Sequence, residues 1–155
     1  MAEHDAVIDV KLAALGNPNI PTRVIHRMAA GTGKRVRETI AGNISTPKTI
    51  LMKSARDRDT NVAYNVACNP NVPREALTIL AERRNIGILV AVVRNKNTPE
   101  EALAKLARNN NRNLRLLIAE HENTSRETLE FLLLKAVKEA DQKLAETVRL
   151  ALAKQ

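Results

Sequence analysis

Asn17, Asn43, Asn69 and Asn95 stand 26 residues apart, and His121 holds the next equivalent place. Four positions after each come Pro21, Pro47, Pro73 and Pro99, then Ser125. The stretches read NPNIP, NISTP, NPNVP, NKNTP and HENTS. A fixed period in this range constrains a chain more than any single motif. One unit buries its apolar face only against the next, which predicts an array of stacked units. A stack presents an extended surface before it makes a catalytic pocket, so binding is the first function to weigh.

Each unit reads as two short helices. In the third, Ala76, Leu77, Leu80 and Ala81 fall on one face of a helix that opens at Pro73. Proline suits a first helical position, where its missing N–H would be unpaired anyway. Thr46, Thr98 and Thr124, one residue earlier, read as N-caps, with Glu101 and Glu127 as capping-box partners. Core positions recur as Ile25, Leu51, Leu77, Leu103 and Leu129 in the first helix. In the second they recur as Val36, Val62, Ile88 and Leu114, then Ile40, Val66, Val92 and Ile118. Helices this short are not stable alone, so stacking must stabilise them. Ser54 replaces the Met28, Leu80, Leu106 and Leu132 of other units and marks the second unit as the weakest. No Gly or Pro occurs from Arg126 to Ala153, which predicts a long second helix in the fifth unit.

The NPNxP turn, the following ALxxLA helix and the Val/Ala-rich second helix resemble the leucine-rich repeat variant family over roughly residues 16–125. The resemblance implies a right-handed superhelix of short helical hairpins, distantly similar to HEAT and armadillo arrays that bind proteins or nucleic acids. The repeat here is a little longer than that family's. An iron–sulfur segment seen in one member needs a cysteine cluster, and this chain has only Cys68. The expected fold is thus an all-α, right-handed α-solenoid of about five 26-residue repeats in a single domain, 1–155. Residues 1–16 form an N-terminal cap, 17–120 four repeats, and 121–155 a divergent fifth repeat with a C-terminal cap.

Of 155 residues 44% are hydrophobic, yet there is one Tyr, one Phe and no Trp, so small aliphatic side chains must fill the interior. A lone cysteine allows no internal disulfide and fits a reducing compartment. No basic start precedes an apolar run at the N-terminus, so no signal peptide is expected. The longest apolar run, Ile86 to Val93, is eight residues, well short of the roughly 20 that span a bilayer. The expectation is a soluble cytoplasmic protein without membrane contact.

The net charge of +8 is uneven: residues 17–120 carry +10, and the flanks are acidic or near neutral. Ten of the 18 Lys and Arg in those units fall between the two helices: Lys34, Arg35, Arg37, Arg56, Arg58, Arg83, Arg84, Arg108, Arg112 and Arg115. With a fixed period, equivalent loops align along one edge. This predicts a positive ridge, reinforced by second-helix N-termini. Arginine suits bidentate phosphate contacts. The plainer reading is a solvated edge partly neutralised by Asp57, Asp59 and Glu82. Scarce aromatics disfavour stacking on single strands, and duplex backbone is left as the first anionic candidate.

A second surface competes. Second-helix positions expected to face outward are apolar in units three and four, at Leu89, Val90, Leu116 and Leu117, which suggests a protein partner or a homodimer contact. The alternative is that the C-terminal helix covers them. The asparagines read as turn residues at helix C-termini that tolerate a left-handed conformation, rather than as base readers. Gly31-Thr32-Gly33-Lys34 is a poor phosphate loop, because Arg35 follows in place of Ser or Thr and no strand precedes it. His4, His26 and His121 have no ligand spacing, and Cys68 reads as a buried thiol. A non-enzymatic binding module without a cofactor is the expectation.

Overall fold

The computed structural model describes residues 2–29 and 33–155, and for residues 2–6 and Ile8 the backbone alone. Among the described residues the chain is all-α. Helix α1 (Ala2–Gly16) precedes the pairs α2 (Thr22–Ala29) with α3 (Lys34–Gly42) and α4 (Lys48–Ser54) with α5 (Thr60–Cys68). Then come α6 (Arg74–Leu80) with α7 (Ile86–Arg94) and α8 (Glu100–Ala107) with α9 (Arg112–Ala119). Helices α10 (Arg126–Lys138) and α11 (Gln142–Leu152) follow.

Contacts between helices run in two series. In one, α3, α5, α7 and α9 each touch the next, with α1 before them and α11 after. In the other, α4, α6, α8 and α10 follow one another. The recurring apolar positions supply the packing. Ile25, Leu51, Leu77, Leu103 and Leu129 are buried, as are Ile40, Val66, Val92 and Ile118. The buried side chains form two clusters, and the smaller joins Leu15, Ile20, Ile25 and Ile40. The larger begins at Ala41 and Leu51, in the region where Ser54 replaces a large aliphatic residue.

The turn after each second helix repeats atom for atom. The carbonyls of Asn43, Asn69 and Asn95 accept from the N–H three residues on, at 2.9–3.2 Å. Their Oδ1 atoms accept from Ser45, Asn71 and Asn97 N–H at 2.7, 2.9 and 3.0 Å. Both hydrogens of each side-chain amide then cross to the preceding turn. Asn69 Nδ2 donates to Ala41 and Asn43 carbonyls, both at 2.9 Å. Asn95 Nδ2 donates to Ala67 and Asn69 carbonyls at 2.8 and 3.1 Å, and Asn43 Nδ2 to those of Leu15 and Asn17 at 2.5 and 2.9 Å. His121 continues the series. Its Nδ1 accepts from Asn123 N–H at 3.0 Å, so Nε2 carries the proton and donates to the Asn95 carbonyl at 3.1 Å.

The asparagines are selected for the amide and not for turn strain. Their φ values of −75°, −71° and −80° are extended, so the left-handed turn expected at these positions does not form. All three are buried, which makes complete use of donors and acceptor necessary. A parallel outer rung adds Asn71 Nδ2 to the Ile44 carbonyl at 2.6 Å and Asn97 Nδ2 to that of Pro70 at 2.7 Å.

The helix starts also differ from expectation. Pro47, Pro73 and Pro99 occupy the cap position itself, with extended ψ of 142°, 147° and 153°. Thr46, Thr98 and Thr124 lie outside the helices they precede. Each is buried and sends its hydroxyl back six residues, to Ile40, Val92 and Ile118 carbonyls at 2.5–2.6 Å. Ile20 and Val72 hold the same place without a hydroxyl, so the position selects a β-branched shape first. The expected Thr98–Glu101 box is therefore absent, and Ser125, not Thr124, caps α10 through Thr128 N–H.

In the fifth unit the first helix is the long one, at 13 residues, and α11 has 11. The chain turns between them at Ala140, whose φ is +53°. Asp141 N–H reaches back to the Ala136 carbonyl at 2.8 Å, closing a Schellman-type end without glycine.

Two stability predictions follow from these joints. Asn69→Ala takes the side-chain donor from the Ala41 carbonyl, one of two donors from the Asn43 carbonyl and the acceptor from Asn71 N–H, and should lower unfolding free energy by about 2–4 kcal/mol in urea titration, against under about 1 kcal/mol for exposed Asn71→Ala. Ala140→Gly removes the left-handed penalty and should raise stability by roughly 1 kcal/mol in the same assay.

Candidate nucleic-acid interface

The loops joining first to second helices hold the cluster of basic residues. Their ends are set by a second repeating device. Asp59, Asn85 and Asn111, 26 residues apart, cap α5, α7 and α9. Asp59 Oδ1 accepts from Asn61 and Val62 N–H at 2.9 and 3.4 Å. Asn85 accepts from Ile88 N–H at 3.2 Å, and Asn111 from Leu114 N–H at 3.0 Å. These N-termini are thus already engaged by their own side chains, and Asp59 brings a negative charge to one of them.

Arg83 links the loops. Its Nη2 donates to Ala55 and Asp57 carbonyls at 2.9 and 2.6 Å, which are 28 and 26 residues back. That is the same offset as the asparagine amides on the other turn. Arg83 is therefore a structural strut between the α4–α5 and α6–α7 loops.

Five more of the ten predicted cations are ion-paired. Lys34 Nζ lies 3.0 Å from Asp59, and Arg37 Nε 2.7 Å from Asp57. Arg35 lies 3.5 Å from Asp9. Arg112 holds Asp141 through two bonds at 2.6 and 2.8 Å. Hydrogen bonding to Asp59 raises the Lys34 pKa, and that to Asp141 raises the Arg112 pKa. On the acid side, burial pushes Asp57 up, but hydrogen bonds from Arg37 and the Asp59 N–H outweigh it and hold the carboxyl below its usual range. Asp141 is held down first by Arg112 and then by the Leu144 N–H.

Arg115 is buried, with only 4% of its side chain exposed. It meets Glu139 at 2.5 Å and the Asn109 carbonyl at 3.1 Å, while its buried Nε has no partner. Leu89, Ala63 and Arg37 occupy the equivalent place in other units. Arg115 is thus a core residue carrying a charge, not part of an outer ridge.

Arg56, Arg58, Arg84 and Arg108 remain. All four are exposed, and their guanidinium groups make no ion pair among the described residues. Arg58 and Arg84 are 26 residues apart, on the two loops that Arg83 ties together. Arg56 and Arg108 are equivalent across two units, with Glu82 between them in register. Glu82 is engaged by Lys105 at 2.9 Å. Lys53, exposed and one helical turn before Arg56, adds a charge that the loop-based reading missed. Its three-residue spacing from Arg56 was the available signal.

The apolar surface expected at units three and four is a correction. Leu89 is buried, and Val90, Leu116 and Leu117 are half-buried against the core. Helices α7 and α9 each lie between two neighbours of their own series and touch a first helix as well, so little of their circumference is open. Cys68, expected inside, is exposed at the end of α5. It lines a groove of about 350 Å³ with Tyr64, Val90 and Arg94. Gly31 and Thr32, like the side chains of His4 and Asp5, lie outside the described residues.

Among the described residues no group of three or more His, Cys, Asp and Glu is arranged to hold a metal ion, and no helix is long and apolar enough to cross a membrane. Comparison with protein-family models, curated proteins and solved structures finds no match.

Replacing Arg115 with Leu, the residue its register equivalent already carries, removes a buried charge with an unpaired nitrogen. Arg115→Leu should change unfolding free energy by less than about 1 kcal/mol, whereas Glu139→Ala, which strands the charge, should cost about 2–4 kcal/mol. Denaturant titration of the two variants checks the difference.

Proposed function

We propose that this chain is an α-solenoid of the leucine-rich repeat variant type, acting in the cytoplasm as a non-enzymatic binding module for an anionic partner. The favoured partner is the phosphate backbone of duplex nucleic acid. The observation that carries this reading is the set of four exposed arginines, Arg56, Arg58, Arg84 and Arg108, that no acid neutralises among the described residues. The nearby acids Asp57, Asp59, Asp141 and Glu139 are all committed to other cations. Arg56, Arg58 and Arg84 sit on two loops whose spacing is held by backbone-directed hydrogen bonds, and that spacing favours repeated phosphate contacts.

The 26-residue period and the serial contacts of α3, α5, α7 and α9 support the solenoid reading. The packing of α1 and α11 at the two ends of that series supports their reading as caps. The contacts proposed are to phosphates and not to base edges, so binding would be insensitive to sequence. With one aromatic residue each of Tyr and Phe, unstacked single strands gain little.

Duplex binding should weaken with salt at a log–log slope of roughly 3–4, from about 0.9 per phosphate over four arginines. Arg56, Arg58, Arg84 and Arg108 changed together to Ala should flatten that slope and weaken all sequences alike, with the thermal midpoint unchanged. Fluorescence anisotropy on unrelated duplexes measures both, and an unaltered affinity in the quadruple variant would defeat the proposal.

A further inference from the structure

Helix α10 carries an apolar stripe on its solvent side. Phe131, Leu134 and Val137, one turn apart, are 39%, 73% and 63% exposed. The repeat makes the anomaly explicit. Phe131 stands in register with Arg27, Lys53 and Lys105, and Leu134 with Arg56, Glu82 and Arg108. Ile79 in the first series and Ala30 in the second break the polar pattern. Positions that elsewhere hold charged side chains in water have turned apolar on the one first helix that is lengthened to 13 residues. Leaving Leu134 and Val137 in water forfeits the burial free energy of both side chains.

We propose that this face of α10 is a homodimer contact, in which two copies of the chain pair their α10 helices antiparallel about a two-fold axis at Leu134. The flanking charges select a second copy as the occupant. Glu130 and Lys138 lie four residues to either side of Leu134. A two-fold axis there sets Glu130 against Lys138 of the partner subunit, twice over. Phe131 and Val137, three residues to either side, meet in the same way. The arrangement is self-complementary, as an isologous interface requires. Among the described residues Glu130 is engaged by an exposed bond to Arg126 at 3.1 Å, which is easily exchanged. Glu127 would face Asp141 of the partner subunit. In this chain Asp141 is neutralised by Arg112.

A single helix pair covers less than the roughly 800 Å² per partner of a standard interface, so the dimer is reversible and is read at concentrations on the order of 100 µM. Sedimentation equilibrium of the full chain should show monomer and dimer in exchange. Leu134→Asp should weaken the dimer at least about tenfold while leaving the urea midpoint unchanged, because that side chain touches water and not the core. Glu130→Lys should weaken it about tenfold at low salt, and Glu130→Lys with Lys138→Glu in the same chain should return it to within about threefold of the original. A monomer throughout this range, a dimer indifferent to Leu134→Asp, or a charge exchange that fails to restore association would each overturn the proposal.

Discussion

The buried asparagine amide is the joint on which the rest of the molecule depends. A helix ends with carbonyls that have no partner inside it, and these must be met by some other donor. Here the donor comes from the next unit. Asn43, Asn69 and Asn95 send one amide hydrogen to a carbonyl in the last turn of the preceding helix, at Leu15, Ala41 and Ala67. The other goes to the turn itself, at Asn17, Asn43 and Asn69. One side chain therefore closes its own turn, caps the previous helix and sets the distance between units. Aspartate lacks the hydrogens, and glutamine adds a methylene, so the choice of residue is narrow. His121 can end the series because it needs only one acceptor and one donor.

The second set of loops solves the same problem with charge. Arg83 repeats the offsets of 28 and 26 residues with a guanidinium in place of an amide. Elsewhere along that edge the join is an ion pair, Arg37 with Asp57 and Arg112 with Asp141. Such pairs at the surface add little stability singly. Their larger effect is on what remains: they consume acids of the edge and leave Arg56, Arg58, Arg84 and Arg108 without an ion pair among the described residues. Structural demand and surface potential are thus coupled, and a count of basic residues overstates the second by the amount of the first.

Several features were legible because they follow from local periodicity. The recurring apolar positions of both helices are buried where the period puts them, apart from half-buried Val36, and the Asn-rich turns lie between units. Thr46, Thr98 and Thr124 misled because a threonine just before a helical run is the usual pattern of a cap. The hydroxyl turned back instead, as a second donor to the Ile40, Val92 and Ile118 carbonyls, each of which also accepts a backbone N–H from the turn. Leu89 and Arg115 misled for a different reason. One helix has an inside and an outside, but a helix flanked by two neighbours and backed by a third has almost no outside. Equivalent positions then hold Leu or Arg, and the arginine is carried inward with Glu139 as its counter-charge.

From its order of residues alone this chain determines the repeat length, the helical class and the recurring aliphatic positions of the interior, because each depends on spacing along a single unit. The fate of its charges is settled only in three dimensions. Arg37 meets an acid 20 residues away, and Arg112 one 29 residues away. Such distances are contacts between units, and no pattern within a unit encodes which atoms the next one turns toward it. The exposed stripe on α10 belongs to the same class. Its apolar residues are plain in the sequence, but only the packing of α8, α9 and α11 around that helix reveals which of them were left uncovered.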